Sequence, residues 1–140
     1  PPLQTTRTIK SEADGKFYFL ETSARVGGAN IAELVEAASG INLWAEWAKI
    51  EILRGESDYR LPKVNNNYSG IIISLAKQEW PDLSAYNDKE IYWKMNKQYH
   101  AGLIFNSPDY NRVEELLKKY TERFYKDFFT SQPMSDKPTA

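Results

Sequence analysis

Phe17-Tyr18-Phe19-Leu20-Glu21-Thr22-Ser23-Ala24-Arg25-Val26-Gly27-Gly28 is the stretch on which the reading of this chain turns. Bulky apolar residues rich in aromatics favour extended backbone, and the glycine pair ends the run. Just upstream, Ala13-Asp14-Gly15-Lys16 signals a hairpin, because Asp-Gly readily supplies positive φ. The Thr-rich segment Leu3 to Ser11 is then expected to pair with Lys16 to Arg25. By the period of two, Phe17, Phe19, Glu21, Ser23 and Arg25 share one face, and Tyr18 and Leu20 take the other. Apolar residues on both faces predict a strand covered on both sides.

The end of that strand carries the candidate chemistry. A carboxylate, a hydroxyl two residues on and a guanidinium two further form a polar set. Mg²⁺ takes oxygen ligands, commonly one or two carboxylates plus substrate phosphates, and a guanidinium suits phosphate oxygens. The same spacing also describes a strand running into solvent with Glu21 and Arg25 as a surface pair, worth roughly 0–1 kcal/mol.

Working outward, Asn30 is a plausible N-cap. Ile31, Leu34, Val35 and Ala38 follow helical spacing, and Gly40 closes the helix. A second helix restarts at Asn42, with Leu43, Trp47 and Ile50, flanked by Trp44 and Ala48, as a wide buried stripe; Gly55 is expected to end it. Residues 56–68 read as a surface loop. Ser69 to Ala76, with Ile71-Ile72-Ile73, reads as a buried strand. Pro81 to Lys89 is a loop, and Glu90 to Lys97 and Tyr99 to Phe105 are strands, the second closely approached at Gly102. Ser107-Pro108-Asp109 opens the last helix. Its buried face is Val113, Leu116, Leu117, Tyr120, Phe124 and Phe128, and Glu114–Lys118, Glu115–Lys119 and Glu122–Lys126 are expected i, i+4 pairs. The elements predict an α+β fold with mostly antiparallel sheet.

Phe17 to Gly28, continued by a helix into Ala38-Ser39-Gly40-Ile41-Asn42-Leu43, resembles the C-terminal part of the ATP-grasp fold. Its members include biotin carboxylase-type, carbamoyl-phosphate synthase-type and purine-biosynthesis ligases. In that family the strand carries Glu-x-Asn-x-Arg, and a following helix ends in Thr-Gly-hydrophobic-Asp/Asn-Leu. A looser likeness runs through Tyr99-His100-Ala101-Gly102-Leu103-Ile104-Phe105 and the final helix. The resemblance implies an edge of the ATP-binding subdomain over residues 1–55, an appended α+β unit over 56–130 and a flexible tail over 131–140. It implies ATP and Mg²⁺ as cofactors, with Glu21 binding metal and nucleotide. Arg25 becomes the catalytic and phosphate-facing residue, and Ser23, at the family's asparagine position, a weaker metal ligand. By hairpin alignment Arg7 falls near another metal-binding acid of the family, where an arginine repels a cation.

The implied parent is a ligase that activates a small-molecule carboxylate as an acyl phosphate. Its Gly-rich lid and ATP-gripping lysines are expected upstream of Pro1, so the fragment itself is expected to be inactive. The departures at Arg7 and Ser23 motivate a second reading, a non-catalytic interaction or dimerisation module, in which the sheet and long helix could support a homodimer.

Composition narrows the alternatives. A net charge of −1 gives no whole-chain field for nucleic acid or an anionic membrane. No apolar run approaches the ~20 residues of a membrane span and no leader pattern opens the chain, so a cytoplasmic protein is expected. The absence of cysteine excludes disulfides and thiolate metal sites. His100, the only histidine, cannot build a histidine metal site or triad within this chain; it reads as a packing or hydrogen-bonding residue, or else a substrate contact. Trp44, Trp47, Trp80 and Trp93 could stack on bases, but their spacing suits a core, with Trp80 the expected exposed exception. Glu79 to Asp88 is either a partner-binding loop or a structured connector.

Overall fold

A computed structural model describes residues 5–23, 25–53 and 58–130, with backbone alone at Thr5 and Ser23. Expectations at Gly55 and over the 131–140 tail lie outside the described residues. The fold is α+β, and its sheets are antiparallel. The chain divides into two compact units, Pro1–Asn65 and Asn66–Ala140.

The first unit holds β1 (Thr5–Lys10), β2 (Phe17–Ser23), α1 (Ile31–Ser39) and α2 (Leu43–Leu53). Gly15, at φ 69°, turns the hairpin, as Asp-Gly chemistry requires. Asp14 accepts from the Lys16 amide at 3.1 Å and from the Tyr18 hydroxyl at 2.8 Å. Pairing is regular from Lys10↔Phe17 to Thr8↔Phe19, then shifts to Arg7↔Glu21, so Leu20 is the extra residue of a β-bulge. The bulge overturns the predicted faces. Residues opposite each other in an antiparallel pair share a face, which puts Phe17 and Phe19 with Lys10 and Thr8. Glu21 joins Arg7 on the other side.

The expected double cover of β2 is also absent among the described residues: Phe17 is 70% and Phe19 67% exposed, with Tyr18 and Leu20 exposed as well. The sheet has two strands, β1 and β2, and an isolated hairpin offers little cover of its own.

The corner between the two helices is built by Ser39-Gly40-Ile41-Asn42. Ser39 Oγ donates to the Val35 carbonyl at 2.6 Å and accepts from the Ile41 amide at 3.1 Å. Gly40 closes α1 in the left-handed region at φ 76°. Ile41 is buried, and Asn42 Oδ1 caps α2 by accepting from the Ala45 amide at 2.9 Å. The predicted apolar stripe of α2 is half-buried rather than buried: Leu43, Trp47 and Ile50 are partly covered and the flanking Trp44 and Ala48 are exposed. The buried residue of the helix is Glu46. Glu46 accepts from Lys49 at 2.6 Å and Tyr59 at 2.7 Å, the partners a buried carboxylate needs. Both bonds hold its carboxyl below the usual carboxylate range.

The second unit holds β3 (Tyr68–Leu75), β4 (Ile91–Lys94), β5 (His100–Ser107) and α3 (Tyr110–Asp127). Strand order is β3-β5-β4. With β5 central, the whole run Ala101 to Phe105 is buried, whereas β3 lies at an edge and Ile73 is exposed. The triple isoleucine therefore marks an edge strand, contrary to the expected buried one. Helix α3 lies against β3 and β5 and comes closest at Gly70, where an added Cβ would meet Leu117 Cδ1 at 2.8 Å. The approach expected at Gly102 is made by Met95 and the Ile72 carbonyl.

The core joins Leu103, Phe105, Leu116, Tyr120, Phe124 and Phe128 to Leu83 and Tyr86 of the 81–89 loop. Burying a large apolar side chain contributes about 1.5–3 kcal/mol. The Tyr86 ring centroid lies 5.3 Å from both Tyr120 and Phe124 and 5.6 Å from Phe128, so the loop is a packed connector. Its polar end is tied down too. Asp88 accepts from Lys119 at 2.7 Å, from Arg112 at 3.2 Å and from the Tyr120 hydroxyl, and Tyr86 donates to Asp127 at 2.8 Å. Lys119 and Tyr120 between them hold the Asp88 carboxyl below its ordinary range.

The cap of α3 is Asp109, whose carboxylate accepts from the Asn111 amide at 2.9 Å. Ser107 ends β5 and Pro108 precedes the cap, so the helix begins later than the sequence signal suggests. Of the predicted ion pairs, Glu114–Lys118 forms at 2.8 Å. Glu115 instead meets Arg112, and Lys119 meets Asp88. Trp80 is exposed as expected, and His100 Nδ1 lies 2.8 Å from the Gln98 carbonyl, which fits the hydrogen-bonding reading.

Candidate functional site

The end of β2 and the turn into α1 form a cleft of about 360 Å³, lined by Arg7, Glu21 and Arg25 with Gly27, Gly28, Ala29 and Ile31. Two of the three predicted site residues, Glu21 and Arg25, are thus brought together. The Ser23 side chain lies outside the described residues, although its backbone pairs with Thr5.

The turn is tight for identifiable reasons. A Cβ at Gly27 would lie 3.0 Å from Ile31 Cγ2 and 3.1 Å from its Cβ, tighter than most side-chain contacts. Ala29 and Asn30 both adopt positive φ, at 52° and 60°, a conformation costing roughly 1–2 kcal/mol per non-glycine residue. Asn30 occupies the N-cap position of α1 without a side-chain cap bond, so its capping signal marks the place but not the contact. The Ile31 amide instead donates to the Gly28 carbonyl at 3.1 Å. Val26 is buried and anchors the turn, while the Arg25 Nη1 lies 3.5 Å from the Val26 carbonyl and 3.8 Å from where a Gly28 Cβ would sit.

Arg7, read from the sequence only as a departure from a pattern, is an integral part of the cleft. Its Nη1 donates to Glu21 Oε1 at 3.0 Å, with the two side chains 69% and 58% exposed. The surface pair that Glu21 makes is with Arg7. What the sequence left unread was the bulge at Leu20: without it, Leu20 would face Arg7.

The fit to a divalent cation is poor. Mg²⁺ favours near-octahedral oxygen ligation, yet Glu21 is ion-paired to a guanidinium. Among the described residues no group of three His, Cys, Asp or Glu side chains could hold a metal ion. The donors present are suited to an anion.

No helix among the described residues is long and apolar enough to cross a membrane. No protein-family model matches the sequence, and no curated protein matches it either. Among solved structures the chain is similar to phosphoribosylglycinamide synthetase from Anaerococcus prevotii, an ATP-grasp enzyme, with a TM-score of 0.51 and 15% sequence identity. The likeness covers 85% of this chain and 35% of that one. At that identity it speaks to fold alone, and the chain has an α+β fold like part of an ATP-grasp domain.

Proposed function

We propose that this chain is the C-terminal part of an ATP-dependent ligase that activates a small-molecule carboxylate as an acyl phosphate, and that the 140 residues alone do not complete the reaction. One observation carries the reading: two guanidiniums flank a cleft at a Gly-Gly turn, on a fold similar to an ATP-grasp enzyme. Phosphoryl transfer places charge on equatorial oxygens, and catalysis is chiefly positioning and electrostatic stabilisation. Arg25 is assigned to that charge, since its forked donors match phosphate oxygens. Residues of the parent beyond this chain supply the remaining ATP contacts, the acid and nucleophile sites, and the protein ligands of any Mg²⁺. A cytoplasmic location follows from this reading.

Arg25→Ala in the parent protein is expected to lower kcat for ATP-dependent ligation by roughly 10²–10³, with circular dichroism unchanged. A kcat within a factor of two would remove Arg25 from the role.

The Arg7–Glu21 ion pair favours a second reading, a non-catalytic interaction or dimerisation module derived from the same fold. Calorimetric titration of the parent with ATP and Mg²⁺ separates the two. Mg²⁺-dependent nucleotide binding rejects the module, and no nucleotide binding rejects the ligase.

A further inference from the structure

We infer that residues 131–135 run along the open edge of β3 as an added antiparallel strand, seating Pro133 in the groove beside α3. The inference is independent of the ligase reading and concerns the second unit alone.

The outer edge of β3 is undefended by its own sequence. Edge strands are ordinarily blunted by charged side chains, proline or a bulge. Tyr68-Ser69-Gly70-Ile71-Ile72-Ile73-Ser74-Leu75 has neither charge nor proline, and its pairing with β5 shows no register shift. Two bonds at its end fix which amides face outward. The Ala76 amide donates to the Tyr99 carbonyl at 2.8 Å, on the β5 side, whereas the Lys77 amide donates to the Phe128 carbonyl at 3.0 Å. Successive amides of a strand point to opposite sides, so those of Ile71, Ile73 and Leu75 point to the side on which Phe128 lies. Beside them a groove of about 340 Å³ opens between β3 and α3, with Ile72, Thr121 and Tyr125 among its walls.

The chain already starts along that edge. Ala76 and Phe129 form an antiparallel bridge, and Thr130 is itself a wall of the groove. In the same register each further residue steps back along β3 by one, which sets Gln132 opposite Ile73, Pro133 opposite Ile72 and Met134 opposite Ile71. Gln132 and Met134 then turn their amides and carbonyls toward β3, and Pro133, which has no amide, turns its nitrogen outward. Proline within a sheet is confined to such outward positions on edge strands, and it also holds its predecessor, Gln132, extended. A slip of one residue would turn the proline nitrogen toward β3 instead.

The side chains match this register. Residues opposite each other share a face; Ala76 belongs to the core beneath α3, and Ile72 packs against that core. Phe129 lies on the same face, stacked on Tyr125 with ring centroids 4.8 Å apart. By the period of two, Ser131, Pro133 and Ser135 follow it. Pro133 then fills the groove between Ile72 and Thr121. Ser135, a small residue, comes beside Gly70, over which Leu117 packs so closely that a Cβ there would lie 2.8 Å from its Cδ1. Gln132 and Met134 cover the other face at Ile73, which is exposed. Five residues at about 3.4 Å each carry the chain from Thr130 to the level of Gly70. Closing the edge removes a template for pairing with other chains.

The test is amide hydrogen exchange of the 140-residue chain, read residue by residue by NMR. The Ile71 and Ile73 amides are expected to be protected, and ending the chain at Thr130 should speed their exchange about tenfold or more. The Ile72 amide, which points toward β5, should keep its rate and reports that the sheet stays intact. Fast exchange at Ile71 and Ile73 in the full 140 residues overturns the inference, as does protection that survives the truncation. Protection that grows with protein concentration assigns the edge to a second copy of the chain and also overturns it.

Two point variants guard against a truncated chain that fails to fold. Gln132→Pro removes an amide that faces Ile73 and should release the Ile71 and Ile73 amides, whereas Pro133→Ala should have a smaller effect on them. An equal or larger effect from Pro133→Ala overturns the inference.

Discussion

The two units of this protein use apolar residues in opposite ways. In the second unit, Leu103, Phe105, Leu116, Tyr120, Phe124 and Phe128 close into one core, and most exposed aromatics are tyrosines or Trp80, which carry polar tips. In the first unit the buried apolar residues are Val26, Ala32, Ala37 and Ile41, while Ile9, Phe17, Phe19, Leu20, Trp44 and Ile52 are exposed. The candidate site belongs to the unit with the smaller core. Polar contacts and backbone geometry, rather than burial, therefore set its shape: the Leu20 bulge, the Arg7–Glu21 pair, the Gly27 turn and the Asn42 cap.

The largest expected effect tests that contrast directly. Phe105→Ala should destabilise the protein by about 3–5 kcal/mol, because it empties a packed core position. Phe19→Ala should change stability by about 0.5 kcal/mol or less, as at other exposed sites. Urea unfolding followed by tryptophan fluorescence measures both, and comparable losses would mean that the hairpin face is buried in solution.

The next effect lies within the site. Gly27→Ala forces a Cβ against Ile31 and should cost about 1–3 kcal/mol as overpacking, whereas Gly28→Ala, with an ordinary contact distance, should cost less. Equal responses at the two positions would show that the turn adjusts freely.

The smallest effect sharpens the description of the second unit. The Asp88 carboxyl is held low by Lys119 and Tyr120, so its contribution to stability is present above the unfolded value, about 3.9. That contribution is lost as pH falls through the lower folded value, since protonation then removes the acceptor. Asp88→Asn should flatten this part of the acid limb, on the order of 1 kcal/mol, while leaving stability near pH 7 lower. Thermal melts between pH 2 and 7 measure the difference, and an unchanged acid limb would remove Asp88 from the account.

Much of this architecture was legible in particular residues. Asp14-Gly15 announced the hairpin and Gly40 the end of α1, because positive φ is a local steric matter that glycine resolves. The apolar spacing of Val113, Leu116, Tyr120 and Phe124 identified the buried face of α3, because a helix repeats regularly enough to be counted. Of the candidate site, Glu21 and Arg25 were legible as a carboxylate and a guanidinium at a strand end. Other readings failed where a neighbour decided the outcome. The triple isoleucine of β3 looked like a buried strand, but β5 took the centre and left β3 at the edge with Ile73 exposed. The stripe on α2 looked buried, but Leu43, Trp47 and Ile50 are only half-covered and the flanking Trp44 and Ala48 stay exposed. Lys119 was expected to meet Glu115, yet Asp88 came within reach once the loop packed on α3.

By itself, then, the sequence determined the Asp14-Gly15 turn, the end of α1 at Gly40 and the buried face of α3, since each depends on sterics and spacing within a few residues. Only the tertiary structure decided strand order, the partners of the charged residues and the facing of Arg7 toward Glu21. One inserted residue, Leu20, reverses which side of a strand its successors occupy, and such a register shift is fixed by pairing between strands rather than by the preferences of either one.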